Sequence, residues 1–379
     1  MTDLRHPASP PDLTTKEGWR EFVDTAPSKP PSRPGPAEWK AMTSPARAAF
    51  NRARNAHHNS LGPIAAAAMT RVHAALQRQV DANFQHPSGA RPGTVIDGEA
   101  NIGKSTILTQ FGRRYELTVR KRYPSGLTAA GDELLPVLYL SLAAGTTIKQ
   151  LSGQILDFFG YPRRAGSSQI ELTTHAKNVL RRCQTTLVLF DDIHFLRLSN
   201  QSDRAVNDHL KYLASVIPAT FVYAGIDCEQ GGLLREGKGR MDKSAFSQTG
   251  SRFSYFRVDK FGIEPGQQAR DWIELLAGLE RQLVLLNQSK GMLSHGLPRY
   301  LFDRTHGEIG SLMALIRQGA AIAIANGEEQ ITSTLLDGIT LSYDAEVESR
   351  RRGTRTRTHV HSQRTPVQGP KKRAGGRAR

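Results

Sequence analysis

The chain has 379 residues, 38% of them apolar, and a formal net charge of +16; it can build one large domain or two ordinary ones, which excludes a small stapled scaffold. Its two cysteines, Cys183 and Cys228, lie far apart without metal-ligand spacing, which excludes a disulfide framework and a zinc site and points to a reducing compartment. No apolar stretch approaches the roughly 20 residues of a membrane span, and the start lacks signal-peptide character, so a cytoplasmic protein with no membrane partner is expected.

Residues 1–45 are rich in proline and poor in periodic apolar residues, and are expected to be mostly disordered. Trp19 and Trp39 stand out there, either packing locally or onto the main domain, or forming a docking segment for a partner. From 46 to 90 the apolar residues Leu61, Ile64, Ala67, Met69, Val72, Leu76 and Val80 recur mostly every three or four positions, which predicts an N-terminal helical layer.

Residues 91–262 alternate short apolar runs with helical patterns. The strand candidates are Pro92 to Asp97, Pro136 to Leu142, Thr186 to Phe190, Thr220 to Ala224 and Ser254 to Val258, with helices expected over Thr106–Tyr115, Ile148–Phe159, Ile170–Cys183 and Arg204–Ile217. Such alternation implies right-handed crossovers and a parallel sheet, and continuously apolar strands imply burial on both faces. Residues 263–345 are helical only, an expected lid. The end, 346–379, is an expected basic, disordered tail: eleven Lys or Arg and no acid lie between Arg350 and Arg379, leaving +5 for the rest of the chain. That arm is either a solvated extension or a sequence-independent, salt-sensitive contact to DNA.

The first strand runs into Gly98-Glu99-Ala100-Asn101-Ile102-Gly103-Lys104-Ser105, followed by Thr106 and a helix. Two glycines let successive backbone N–H groups point at phosphate oxygens while the helix presents its positive end. Gly98, Asn101, Ile102, Gly103, Lys104, Ser105 and Thr106 are therefore the candidate nucleotide-binding residues, with Lys104 reaching the β- and γ-phosphates and Ser105 ligating Mg²⁺. Leu187-Val188-Leu189-Phe190-Asp191-Asp192 ends a second buried strand in two acids, which suit the Walker B position: Asp191 for the metal and Asp192 to orient or deprotonate the attacking water. Many ATPases of this kind place Glu at the second position. Aspartate is one methylene shorter, and a displacement of about 1 Å can cost roughly 10²-fold in rate, so ATP and Mg²⁺ binding with slow hydrolysis is expected.

These segments together resemble the TniB-like, or TnsC-like, branch of AAA+ ATPases that serve DNA transposition, including the related IstB helpers. The resemblance rests on Gly98 to Ser105, Leu189 to Leu196, Asn207 to Leu213, Ala219 to Gly225, Ser251-Arg252-Phe253, the stretch 54–84 and Thr305 to Leu312, and so covers about 54–341. It implies a P-loop AAA+ three-layer α/β core followed by a small helical lid. It also implies a homo-oligomer with ATP sites at subunit interfaces, assembling on double-stranded DNA and recruiting or activating a transposase. Arg252 matches the arginine that reaches a neighbouring subunit's γ-phosphate; its alternative reading is a surface ion pair. Asp227, in Gly225-Ile226-Asp227, is the nearest polar residue to the sensor position. The lid departs from the wider pattern: Gly310-Ser311-Leu312 holds no sensor arginine, and Arg317, two turns on, is set aside as a contact.

The histidines form no pair with ligand spacing, and no serine-hydrolase elbow or acid cluster of a two-metal nuclease occurs. The alternatives to a transposition ATPase are a signalling or defence switch of the STAND type, which binds no DNA, and an ATP-binding scaffold poor in hydrolysis. Arg120-Lys121-Arg122 is one candidate for direct DNA contact.

Overall fold

The computed structural model describes residues 10–85, 91–193, 201–228 and 253–341. Five strands, β1 (Gly93–Asp97), β2 (Val137–Ser141), β3 (Leu187–Asp191), β4 (Thr220–Gly225) and β5 (Phe253–Arg257), form one parallel sheet in the order β2-β3-β4-β1-β5. Val95 lies between Tyr223 of β4 and Tyr255 of β5, and Ser141 faces Asp191 across β2 and β3. The three inner strands β1, β3 and β4 are buried along their whole length, and the edge strand β2 is buried up to Ser141, as the sequence pattern of burial on both faces implies. The order brings the carboxyl ends of β1, β3 and β4 side by side, the crevice where open α/β sheets bind ligands.

Two of the crossover helices start on side-chain caps, whereas the one after β1 starts at Gly103 without one. The helix α5 (Lys104–Arg122) follows β1 directly. Then come α6 (Ile148–Phe158), opened by a Thr147–Gln150 capping box, and α7 (Gln169–Arg182), opened by a Ser168–Glu171 box. The helix α8 (Gln201–Val216) leads to β4. Beyond β5 the lid contains α9 (Gln267–Gln282), α10 (Pro298–Thr305), α11 (Ile309–Ala325) and α12 (Ser333–Asp337), packed around their own apolar core with Trp272, Leu276, Leu315 and Leu336 at its centre.

Two expectations need correction. The first is the segment 1–45, expected to be mostly disordered: from residue 10 onward it contains α1 (Lys16–Asp24), capped by Thr15, and α2 (Pro36–Ala41). Trp19, Phe22 and Val23 are spaced i, i+3, i+4, and α1 lays this face on α5, with Trp19 and Val23 fully buried. Trp19 thus takes the first of its two readings, packing onto the main domain. Trp39 is half-buried against Phe50, with the Arg47 and Arg54 guanidinium groups over its ring. The second is the helical layer 46–90, which divides between two partners. The helix α3 (Ser44–Asn59) and Leu61 join the lid, whereas α4 (Ala67–Gln85) puts Val72, Leu76 and Val80 into the core of the sheet domain.

Charge buried at the α3–lid seam is paired. Arg54, without exposed surface, donates to both Glu329 oxygens at 2.6 and 2.5 Å and to the Val284 carbonyl at 3.2 Å. His58 Nε2 accepts from the Val284 amide at 2.9 Å, which assigns the proton of its neutral ring to Nδ1. Burial, the neighbouring His57 and Arg54 push the His58 pKa down to about 4.

Candidate nucleotide-binding site

The chain leaves β1 through Asp97, whose carboxylate accepts from the Gly98 amide at 2.7 Å and from the Tyr255 hydroxyl at 2.5 Å. Cys228, at the end of β4, also bonds this carboxylate, and burial pushes its thiol up to about 12. These contacts pin the start of the loop. Gly98 follows where only a glycine fits, since a Cβ there would lie 2.3 Å from the Val258 carbonyl oxygen and 2.3 Å from Ile102 Cδ1. Asn101 and Gly103 then adopt left-handed conformations with φ of 59° and 89°, curling the backbone over the start of α5.

Asn101, Ile102, Gly103, Lys104, Ser105 and Thr106 all line one cavity of about 780 Å³ at the carboxyl edge of the sheet. Lys104 is buried, donates to the Glu99 carbonyl, and has its pKa lowered by burial against the opposing pull of Asp191 and Asp97. The Ser105 hydroxyl hydrogen-bonds the Asp191 carboxylate, bringing together the hydroxyl and the acid read from the sequence. Asp191 is 3% exposed and also accepts from the Tyr139 hydroxyl at 3.0 Å and from the Asp192 amide at 3.0 Å. Burial raises its carboxyl above the ordinary aspartate range, opposed by the Ser105 bond. This pair of hard oxygen donors beside a helix N-terminus fits Mg²⁺, which binds through one or two protein oxygens plus phosphate and water.

Asp192 also faces the cavity; its backbone is left-handed with φ of 58°, and its Oδ2 accepts from Ser141 Oγ at 2.9 Å. Arg252 lies outside the described residues, as does the basic stretch 350–379. Asp227 is exposed, while its neighbour Ile226 lines the cavity. Arg120 is held in ion pairs with Asp24 and Glu116 at the far end of α5.

Arg317, set aside in the sequence reading, lines the same cavity. Ile309, Gly310, Met313 and Arg317 share one face of α11 at i, i+1, i+4 and i+8, and that face lines the cavity. Arg317 Nη2 donates to the Leu61 carbonyl at 2.6 Å, its Nε is buried without a partner, and burial lowers its pKa. Arg317 lies seven residues, about two turns, beyond Gly310 and hence on the same side of α11.

Three more features went unread in the sequence. Leu61, Gly62 and Ile64, from the link between α3 and α4, and Met69 of α4 supply an apolar wall beside Met313. Lys260 bridges Glu99 of the loop and Glu308 of the lid at 2.9 Å each, and the Gly310 amide donates to the Asn101 carbonyl at 2.9 Å. The cavity is therefore walled by sheet domain, lid and link together. Its size falls within the roughly 300–1,000 Å³ of small-ligand sites, and its mix of an apolar wall and an anion-binding loop suits a nucleotide.

Residues 65–236 match the family model described as bacterial TniB protein. No curated protein matches the chain. Among solved structures, the ORC2 protein of Aeropyrum pernix in ADPNP–ADP complexes is similar with a TM-score of 0.51 and 15% identity, over 78% of this chain and 70% of that one. The ORC1 protein of the same organism, in complex with DNA, is similar with a TM-score of 0.50 and 16% identity, over 81% of this chain and 70% of that one. The P-loop α/β core with a helical lid is thus the fold expected from the sequence.

Proposed function

We propose a function for what is a TniB-like AAA+ protein: it binds ATP with Mg²⁺, assembles on double-stranded DNA in the ATP state, and serves a transposase as its accessory ATPase. The observation that carries this is the convergence of Lys104, Ser105, Asp191 and Arg317 on one cavity between sheet and lid.

In this reading the backbone from Asn101 to Gly103 and the start of α5 hold the phosphates, Lys104 leaves the Glu99 carbonyl for the β- and γ-phosphates, and the wall of Leu61, Ile64, Met69 and Met313 takes the base. Arg317 exchanges the Leu61 carbonyl for a phosphate oxygen, which satisfies its orphaned Nε. Bound Mg²⁺ would neutralise charge on the β- and γ-phosphates. Asp191 and Ser105 hold it, and Asp192 orients water. Arg252 completes the site of the neighbouring subunit, so the homo-oligomer is part of the proposal, and the arm 350–379 adds salt-sensitive contacts to DNA.

A DNA-binding titration over a salt series, run with and without ATP, tests this reading against a nucleotide switch that binds no DNA. We expect affinity to rise with ATP and to fall linearly on log–log axes as salt increases, with a slope near −0.9 per phosphate contacted. Binding that ignores ATP, or no binding, overturns it. One observation favours a second reading, tight binding with little hydrolysis: Asp192 is tied back to Ser141 on β2.

A further inference from the structure

The N-terminal helix reaches the metal-holding acid through two aromatic rings. Trp19 of α1 has no exposed surface, and its indole lies parallel to the Tyr139 ring, with centroids 5.9 Å apart and an interplanar angle of 12°. Tyr139 is 7% exposed, and its hydroxyl donates to Asp191 Oδ2. The two rings therefore sit stacked, offset and nearly parallel, between α1 and the acid that faces Ser105.

The seat for the indole is built into the sequence. Residue 112 of α5 is glycine, where a Cβ would come within 2.8 Å of Trp19 Cη2 and 2.6 Å of Leu189 Cδ1, so any other residue closes the slot. The indole N–H donates to Glu116, a carboxylate 1% exposed that also takes Arg120, which in turn reaches back to Asp24 at the end of α1. On the other side of α1, Lys16 and Arg20 both pair with Glu133, just before β2. The second group of contacts is half-exposed and charged, the kind that salt or a competing partner weakens.

We propose that Tyr139 is a positioning residue for Asp191, and that Trp19, stacked on it, makes α1 a control element of Mg²⁺ binding at the nucleotide site. The inference rests on the nucleotide reading above. Asp191 has one oxygen held by Tyr139 and the other by the Asp192 amide, so its plane is fixed before a cation arrives. Loss of the phenol hydroxyl leaves Oδ2 without its tyrosine donor, so the plane of the carboxylate is less firmly set. Loss of the indole leaves the phenol ring without the face it rests on.

The test uses the full chain and measures binding rather than turnover. ATP affinity is measured with excess chelator and with Mg²⁺, and the Mg²⁺ midpoint is titrated at saturating ATP, for wild type, Tyr139→Phe and Trp19→Phe. Tyr139→Phe keeps the ring stack and removes only the hydroxyl; we expect its Mg²⁺ midpoint to rise about tenfold, as for removal of other groups that orient a metal ligand, with Mg²⁺-free ATP affinity unchanged. Trp19→Phe should shift the midpoint in the same direction by less. Tryptophan emission supplies a second readout, taken as the difference between wild type and Trp19→Phe. Mg²⁺ added to the ATP-saturated protein should alter it, and the change should vanish in Tyr139→Phe. A Tyr139→Phe midpoint equal to wild type overturns the inference, as does equal loss of ATP affinity with and without Mg²⁺, which marks a purely structural role. Failure of wild type to bind ATP at all instead overturns the nucleotide reading, and the inference falls with it.

Discussion

In the proposed ATPase, Asp192 is the residue on which the rate of hydrolysis turns. Its backbone occupies a left-handed conformation that a non-glycine residue adopts at some cost, and its carboxylate is held by Ser141 on the adjacent strand rather than projecting alone into the cavity. A glutamate at this position extends one methylene further and reaches past Ser141. We therefore expect Asp192→Glu to raise phosphate release several-fold with ATP affinity unchanged, measured by single-turnover assay; an unchanged or lower rate would show that side-chain length is not what limits the site.

At the scale of elements, the seam between α3 and the lid contributes a pH dependence of its own through His58. His58 is neutral in the fold, with its pKa lowered to about 4 against an ordinary value near 6.5, so the unfolded chain binds more protons than the folded one between those values. Stability is therefore complete above about pH 6.5 and falls as pH drops toward 4, by an amount on the order of 2–3 kcal/mol. Thermal melts from pH 7.5 to 4.5 should show this loss, and His58→Gln, whose amide oxygen can still accept from Val284, should flatten it. The same seam shows why some elements were legible in the sequence and others were not. The strands, the loop from Gly98 to Ser105 and Asp191 were legible because a buried parallel sheet and a phosphate loop leave unbroken apolar runs and fixed spacings. By contrast, α1 is nine residues flanked by proline-rich chain, and its Trp19, Phe22 and Val23 make sense only with the slot at Gly112, almost a hundred residues away. The pairing of α3 with the lid rests on Arg54 meeting Glu329, 275 positions apart, and no local period records such a contact. Arg317 was half legible: its helix was expected, and only its facing was not.

At the scale of the molecule, the described residues form two apolar cores, one around the sheet and one in the lid, with the cavity walled by residues from both. A ligand that touches both bodies stabilises the arrangement it bridges, by about 2.7 kcal/mol at a concentration 100 times its Kd. ATP with Mg²⁺ should accordingly raise the melting temperature of the wild-type chain in a concentration-dependent way, and Lys104→Ala should abolish the shift without lowering the ligand-free melting temperature by a comparable amount. A shift retained in that variant would place the nucleotide elsewhere.

The Lys260 bridge makes ionic strength an input to the nucleotide site itself. Lys260 joins Glu99 beneath the phosphates to Glu308 at the root of the lid, and with Glu99 largely open to water that clasp is exposed to screening ions. If the chain binds ATP and DNA as proposed, raising salt to probe the DNA contact also weakens this tie between loop and lid. A salt series at sub-saturating ATP would fold two losses into one slope, and the slope becomes a count of DNA phosphates only when every point is taken with the cavity full.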